Sequence, residues 1–444
     1  MTDRNDDAGR AVPSGRIARL GQFGRLAGGV AGGMLAEGAR RLADGERPRM
    51  RDLLLTPGNV GRVADRLSHL RGAAMKLGQM VSMDSGEVLP PALAEILGRL
   101  RERAHHMPPA QLQRVLAAQW GGDWRRRFAR FDATPIAAAS IGQVHRARTH
   151  DGRDLAIKIQ YPGVRESIDA DVDNVATLLR VSGLLPRALD IDPLLAEAKR
   201  QLHEETDYLR EGAQLETYRQ LMADRPDFVV PALAPEFTTP TTLAMSFVEG
   251  RSIETVAEAG QDERDRVTAL MLGLVLDELF AFGLMQTDPN FANYRYQSAT
   301  GRIVLLDFGA TRAVTRPTAD AYRTLLGAGL AGDRDAVRAA ALAAGFMSQA
   351  AAARHGAIVD RMIDVILAEA GKSGPFDFAD RGFLAVVREQ ATVMAADRAV
   401  WHIPPTDMLF VQRKISGTAL LAARLRARVD LRTMVAERLG KDAA

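Results

Sequence analysis

The chain has 444 residues, with 58 basic against 55 acidic side chains, 47% apolar and 25% charged residues, and no cysteine. At about 150 residues per domain, this length predicts three units or one large two-part domain with an extension, and an ordinary apolar fraction with nearly cancelling charges excludes collagen-like and wholly disordered chains. A net charge of +3 argues against a surface built on nucleic-acid phosphate contacts, and the absence of cysteine removes disulfides, thiolate catalysis and Cys-based zinc sites.

Residues 1–55, rich in Gly, Arg and Asp, read as a disordered or membrane-surface tail. Its apolar stretch from Leu26 to Ala36 is about half the roughly 20 residues needed to span a bilayer, so an Arg-flanked segment there suits a membrane surface or a plain linker. Glycines from Gly21 to Gly33 suit helix pairing in a homodimer or a flexible tail. From Pro57 to about Gln119, Val63, Leu67, Leu70, Ala74, Leu77 and Val81 recur at helical spacing, which makes 56–130 a helical extension. Strand signals follow at Ile141 to Arg148 and Asp154 to Gln160, joined by the turn His150-Asp151-Gly152-Arg153 into a hairpin. Ser167 to Arg180 and Pro193 to Tyr218 read as helix, Phe228 to Val230 and Thr242 to Val248 as short strands, and the remainder as mostly helical. The most apolar window, Ala269 to Met285, is too short to cross a membrane and contains Asp277 and Glu278, which makes it a buried core helix.

Only six basic residues are lysine, namely Lys76, Lys158, Lys199, Lys372, Lys414 and Lys441. Each is informative, because a compact ammonium does what a planar guanidinium cannot. Lys158 closes Leu155-Ala156-Ile157-Lys158, after the loop Ala137-Ala138-Ala139-Ser140-Ile141-Gly142-Gln143-Val144. Protein kinases cover the ATP phosphates with G-x-G-x-x-G-x-V and reach them with the lysine of V-A-I-K. Here Ala137 and Ala139 stand at the first two glycine positions, where each methyl limits the approach of backbone N–H groups to phosphate.

Asp288 and Asn293 lie five apart, and Asp307-Phe308-Gly309 begins fourteen residues after the Asn. That is the spacing of the kinase catalytic and metal-binding loops, in which one Asp orients the nucleophile while the Asn and the second Asp hold magnesium. Carboxylate and amide oxygens suit a hard Mg²⁺ ion that keeps waters and leans on phosphate. A helical glutamate must then pair with the strand lysine, and Glu204-Glu205-Thr206-Asp207-Tyr208-Leu209-Arg210-Glu211 supplies candidates. On one continuous helix, Asp207 and Glu211 share a face and Glu205 points elsewhere. Lys76 and Gln79, three apart in the extension, also share a face. The adenine is expected to hang from the backbone between Met245 and Val248, on position alone.

Together these residues resemble the UbiB (ABC1/AarF) family of atypical kinase-like proteins, most closely its coenzyme Q biosynthesis branch. The resemblance is carried by Lys76-Leu77-Gly78-Gln79, the alanine-rich loop, Ile159-Gln160-Tyr161-Pro162-Gly163-Val164, Glu205-Thr206-Asp207, Gln286-Thr287-Asp288-Pro289-Asn290 and Asp307-Phe308-Gly309-Ala310-Thr311-Arg312. It implies an α+β, protein-kinase-like two-lobed fold with an N-terminal helical extension, an N-lobe over 131–250 and a mainly helical C-lobe over 251–444. It also implies that the K-x-G-Q segment lies across the site where a protein kinase receives its peptide. Lys158 is then expected to pair with Glu211, and Lys76 and Gln79 to meet Glu205 and Asp207 over the nucleotide. Asp288 is the expected catalytic-loop carboxylate, Asn293 and Asp307 are the expected metal ligands, and Ala137, Ala138, Ala139, Ser140, Gly142, Val144, Lys158, Met245 and Val248 are expected to bind nucleotide.

Two departures from ordinary kinases fit that picture. Gln286-Thr287 replaces the His-Arg before the catalytic Asp, and no Ala-Pro-Glu follows Asp307. The expected activity is a Mg²⁺- and ATP-dependent ATPase supporting ubiquinone biosynthesis, in the bacterial cytoplasm and peripherally attached to the membrane, with no C-terminal transmembrane helices. Expected partners are an adenine nucleotide, a lipid or ubiquinone precursor and the biosynthetic enzymes, with no nucleic acid. The alternatives are a small-molecule or lipid kinase and a nucleotide-gated lipid-binding chaperone of pseudokinase type.

Overall fold

The computed structural model describes residues 107–139, 141–181, 192–397, 400, 402 and 404–441. The N-terminal tail, the first part of the extension with Lys76 and Gln79, and Ser140 lie outside the described residues. The described chain forms two compact units, one running to Ala213 and including Ala232–Phe247, the other made of Gln214–Pro231 and everything from Val248. Among the described residues, no helix is long and apolar enough to cross a membrane.

The first unit is organised by an antiparallel sheet in the order Phe128–Phe131, Gly142–Thr149, Asp154–Gln160, Thr242–Ser246, with Ala137–Ala138 added alongside Gly142–Thr149. The expected hairpin is present, and Gly152 takes φ +88° in its turn, a conformation that glycine adopts without steric cost. Its register sets Val144 opposite Lys158 and Arg146 opposite Ala156, while Leu243 and Met245 face Lys158 and Ala156 from the next strand. Residues opposite one another share a face. Val144, Ala156, Lys158 and Met245 therefore project to one side of the sheet. The alternate residues Ala147, Leu155, Ile157, Ile159 and Ala244 join the buried cluster of Leu116, Trp120, Trp124, Phe128 and Phe237. The helix Pro109–Trp120 contributes Leu112, Leu116 and Trp120 to that cluster. Leu116, Ile157 and Ile159 are completely buried, each contributing about 1.5–3 kcal/mol, and Phe128 packs its ring 4.9 Å from that of Phe237.

Helices cover Val164–Val181, Asp192–Glu205 and Tyr208–Leu221. The continuous helix expected from Pro193 to Tyr218 is broken at Thr206–Asp207. Thr206 Oγ1 turns back to the His203 carbonyl at 2.8 Å, Gln160 Nε2 donates to the Thr206 carbonyl at 3.1 Å, and Asp207 Oδ1 accepts from the Arg210 amide at 3.0 Å. A short polar side chain that satisfies a new helix's first amides starts a helix there, against the helical periodicity on either side. Glu205 ends one helix, Asp207 caps the next, and Glu211 lies in its first turn. The break thus separates Glu205 from the other two, while Asp207 and Glu211 stay one turn apart at the start of a single helix, the Glu211 amide donating to the Asp207 carbonyl at 3.0 Å.

In the second unit, a sheet runs Phe228–Val229, Arg302–Leu305, Tyr294–Gln297, Arg251–Ser252, parallel in its first pair and antiparallel in the others. A two-stranded ribbon joins Leu284–Gln286 to Thr311–Ala313. The rest is mostly helical, as expected. The apolar window forms the end of the helix Gln261–Asp277, a π turn over Glu278–Phe282 closed by Gly283, and the strand Leu284–Gln286. π turns collect at functional sites, and this one leaves Glu278 with no exposed surface.

Candidate active site

In the first unit, Lys158 Nζ donates to both carboxylate oxygens of Glu211 at 3.0 Å. Their side chains are 10% and 1% exposed. The pairing expected between them is made, on the face of the sheet that carries Val144, Ala156 and Met245. Lys158 also lies 5.2 Å from the Tyr208 ring centre, and Glu211 gains from the positive end of the helix whose first turn it occupies.

The alanine-rich loop closes as a tight hairpin. Ala137 pairs with Val144, Ala138 with Gln143, and the Ala139 amide donates to the Gly142 carbonyl at 2.8 Å. That amide is spent within the turn. A β-carbon on Gly142 would collide with the Ile159 carbonyl oxygen and lie 3.0 Å from the Tyr208 hydroxyl, so only glycine lets the loop lie this close to the lysine strand. Met245 is buried opposite Ala156, and Val248, where the chain returns to the second unit, is half-buried. Glu205 and Asp207 are half-buried in the first unit.

In the second unit, Asp288, Asn293 and Asp307 are brought together by strand pairing. Tyr294 and Leu305 are partners in the sheet, and the Leu306 amide donates to the Asn293 carbonyl at 3.0 Å. Asn293 and Asp307 therefore leave adjacent strand ends. Asn293 Nδ2 lies 3.3 Å from both the carbonyl and Oδ2 of Asp288, which directs its amide oxygen the other way. Asp307 Oδ1 accepts from the Gly309 amide at 3.0 Å, and the Phe308 ring packs tilted against that of Tyr218, 4.9 Å between centres. The donor set of one amide and one carboxylate oxygen fits Mg²⁺ shared with phosphate. Among the described residues, no group of three or more His, Asp or Glu could hold a metal by itself.

Beneath this loop lies a cluster that sequence reasoning missed. Arg413 Nη2 is 3.2 Å from Asp288 Oδ1. Lys414, fully buried, donates to Gln286 Oε1 at 3.1 Å and to the Tyr294 hydroxyl at 3.0 Å, and stands 3.4 Å from Glu278 Oε2. The Tyr218 hydroxyl donates to Glu278 Oε1 at 2.8 Å, and Gln286 Nε2 to the Asp288 carbonyl at 2.9 Å. Burial raises the Glu278 carboxyl above its ordinary range, against the pull of Lys414 and Tyr218. Burial works against the Lys414 ammonium, but the opposing charge of Glu278, with Tyr294, outweighs it and holds the ammonium above its ordinary value. Glu278, Gln286, Asn293, Asp307 and Lys414 line a cavity of about 10 Å³, the room one water needs. The available signals were a scarce lysine at 414 and a carboxylate at 278 inside the most apolar window. Arg413 gave none.

Residues 99–341 match the family model described as the ABC1 atypical kinase-like domain. The chain is 38% identical over 423 residues to the mitochondrial atypical kinase COQ8 of Saccharomyces cerevisiae, covering 94% of this chain and 84% of that one. The chain belongs to the ABC1 (UbiB) family. It is also 36% identical over 446 residues to the mitochondrial atypical kinase COQ8B of Rattus norvegicus, covering 98% and 82%. Among solved structures, the complex of Rv3197 with erythromycin from Mycobacterium tuberculosis matches with a TM-score of 0.57 and 26% identity over 83% of this chain and 92% of that one. The α+β, kinase-like fold expected from the motifs is thus the fold of this ABC1 chain, and its relatives are atypical kinases.

Proposed function

We propose that this ABC1 protein is a Mg²⁺- and ATP-dependent ATPase of kinase type that supports ubiquinone biosynthesis at a membrane surface, in the cytoplasm of a bacterium. The single observation that carries the reading is the convergence of Asp288, Asn293 and Asp307 at adjacent strand ends. Phosphoryl transfer asks chiefly for positioning and charge neutralisation. In this reading Lys158, held by Glu211, grips the phosphates, and Val144, Ala156 and Met245 form an apolar surface for the base, with Val248 in the linker. A bound Mg²⁺ ion, held by Asn293 and Asp307, would neutralise charge on the triphosphate. Asp288 orients the attacking oxygen. Glu205 and Asp207 meet Lys76 and Gln79, whose segment closes the site to protein acceptors, so water is the acceptor. The role in ubiquinone biosynthesis rests on the COQ8 relatives. The domain limits proposed are a tail over 1–55, an extension over 56–130 and lobes over 131–250 and 251–444.

Purified protein given Mg-ATP should release phosphate, and Asp307→Asn should abolish the release. Full activity in that variant would overturn the metal assignment. A second reading, transfer to a small molecule or lipid, draws support from the relative solved with erythromycin bound. With γ-labelled ATP and membrane extract, label in an organic-soluble product rather than in free phosphate would favour it.

A further inference from the structure

The helix Thr406–Leu425 carries none of the kinase-type motifs, yet three of its side positions converge on the catalytic loop. Arg413 grips one oxygen of Asp288 at 3.2 Å while Asn293 approaches the other at 3.3 Å, so the carboxylate is held at both ends. The Arg413 side chain is only 5% exposed. One residue on, Lys414 holds Gln286, which in turn holds the Asp288 carbonyl. One turn on, Gly417 packs directly on Pro289. Side chain and backbone of Asp288 are thus fixed from the same helix.

We propose that Arg413 is a positioning residue for phosphoryl transfer, locking the Asp288 carboxylate in the rotamer from which it orients the attacking oxygen. The inference rests on the ATPase reading above. A loose, largely dissociative transfer needs little help from a base and much from orientation, so a guanidinium on the carboxylate is compatible with turnover. It offers two benefits. The planar fork of arginine fixes geometry that a lysine would leave free, and its positive charge offsets a carboxylate that must lie near a triphosphate. A simple structural ion pair would instead fix the fold and leave the chemistry indifferent to the guanidinium.

The two roles separate in kinetics. Arg413→Ala should lower kcat about 10²-fold, the scale of loss from small misplacement of a reacting group, with KM for ATP within about twofold. Arg413→Lys should fall between the two, and guanidinium ion at tens of millimolar should restore part of the alanine variant's turnover without changing its melting temperature. Unchanged kcat in Arg413→Ala would overturn the inference, as would a loss matched by an equal loss of nucleotide affinity and no response to guanidinium. Asp307→Asn, measured alongside, keeps the two readings apart. If it is dead while Arg413→Ala is fully active, the ATPase reading stands and the Arg413 role falls. If the wild type transfers phosphate to neither water nor lipid, both fall.

Discussion

Gly417 and Pro289 touch so closely that a β-carbon at 417 would enter the proline ring. Pro289 follows Asp288, so this contact sets how deeply the catalytic loop sits. Replacement by alanine must move either the helix or the loop. Gly417→Ala should cost about 1–3 kcal/mol by overpacking and should lower phosphate release further than that loss of folded protein explains. Urea unfolding and Mg-ATP turnover on the same preparation test this, and intact turnover in a destabilised variant would show that the loop does not move.

Asp207 separates a structural duty from a chemical one. Asp207→Ala should lose the cap on Arg210, about 0.5–2 kcal/mol, whereas Asp207→Asn should retain it, since both residues cap well. If the carboxylate acts at the nucleotide, the two variants should lose activity alike. Equal activity of Asp207→Asn and wild type would confine Asp207 to its cap.

The Lys158–Glu211 pair is nearly dry. Glu211→Ala removes the carboxylate that grips the buried ammonium from one side and should cost about 3–5 kcal/mol, while Lys158→Met with Glu211→Leu should recover most of that, because apolar replacement of a buried pair is often neutral. Both variants should fail to turn over ATP. Denaturation midpoints and phosphate release give the two readouts, and a double variant no more stable than Glu211→Ala would contradict the desolvation argument.

The Lys414 cluster predicts a pH signature. Its ammonium binds its proton more tightly in the folded state than in the unfolded one, where the ordinary value is 10.5. The stability it contributes is therefore fully present below that pH and is lost as pH rises through the folded value. Unfolding midpoints of wild type should fall faster above about pH 10.5 than those of a Lys414→Met, Glu278→Gln variant. Parallel curves would remove Lys414 from the titrating groups.

The hairpin was legible because Ile141 to Arg148 and Asp154 to Gln160 alternate around a glycine turn, and the Asp288, Asn293 and Asp307 set was legible because its spacing is short and mechanical. The helix break at Thr206–Asp207 was hidden, since the residues on both sides keep helical periodicity and the break depends on Gln160, contributed by a strand. The π turn at Glu278 was read as plain helix because Ala269 to Met285 is one apolar window with no break signal before Gly283. Arg413 could not be foreseen at all: it meets Asp288 across 125 positions of chain, and one arginine among many carries no local signal.

The stretch that matches the ABC1 model ends at residue 341, whereas Arg413, Lys414 and Gly417 lie beyond it. A fragment trimmed to the matched stretch would keep Asp288, Asn293 and Asp307 but lose the strut on which their loop is mounted. The matched stretch and the support of its loop therefore have different ends, and a fragment stopped at residue 341 should lose the phosphate release that one extended through Leu425 keeps.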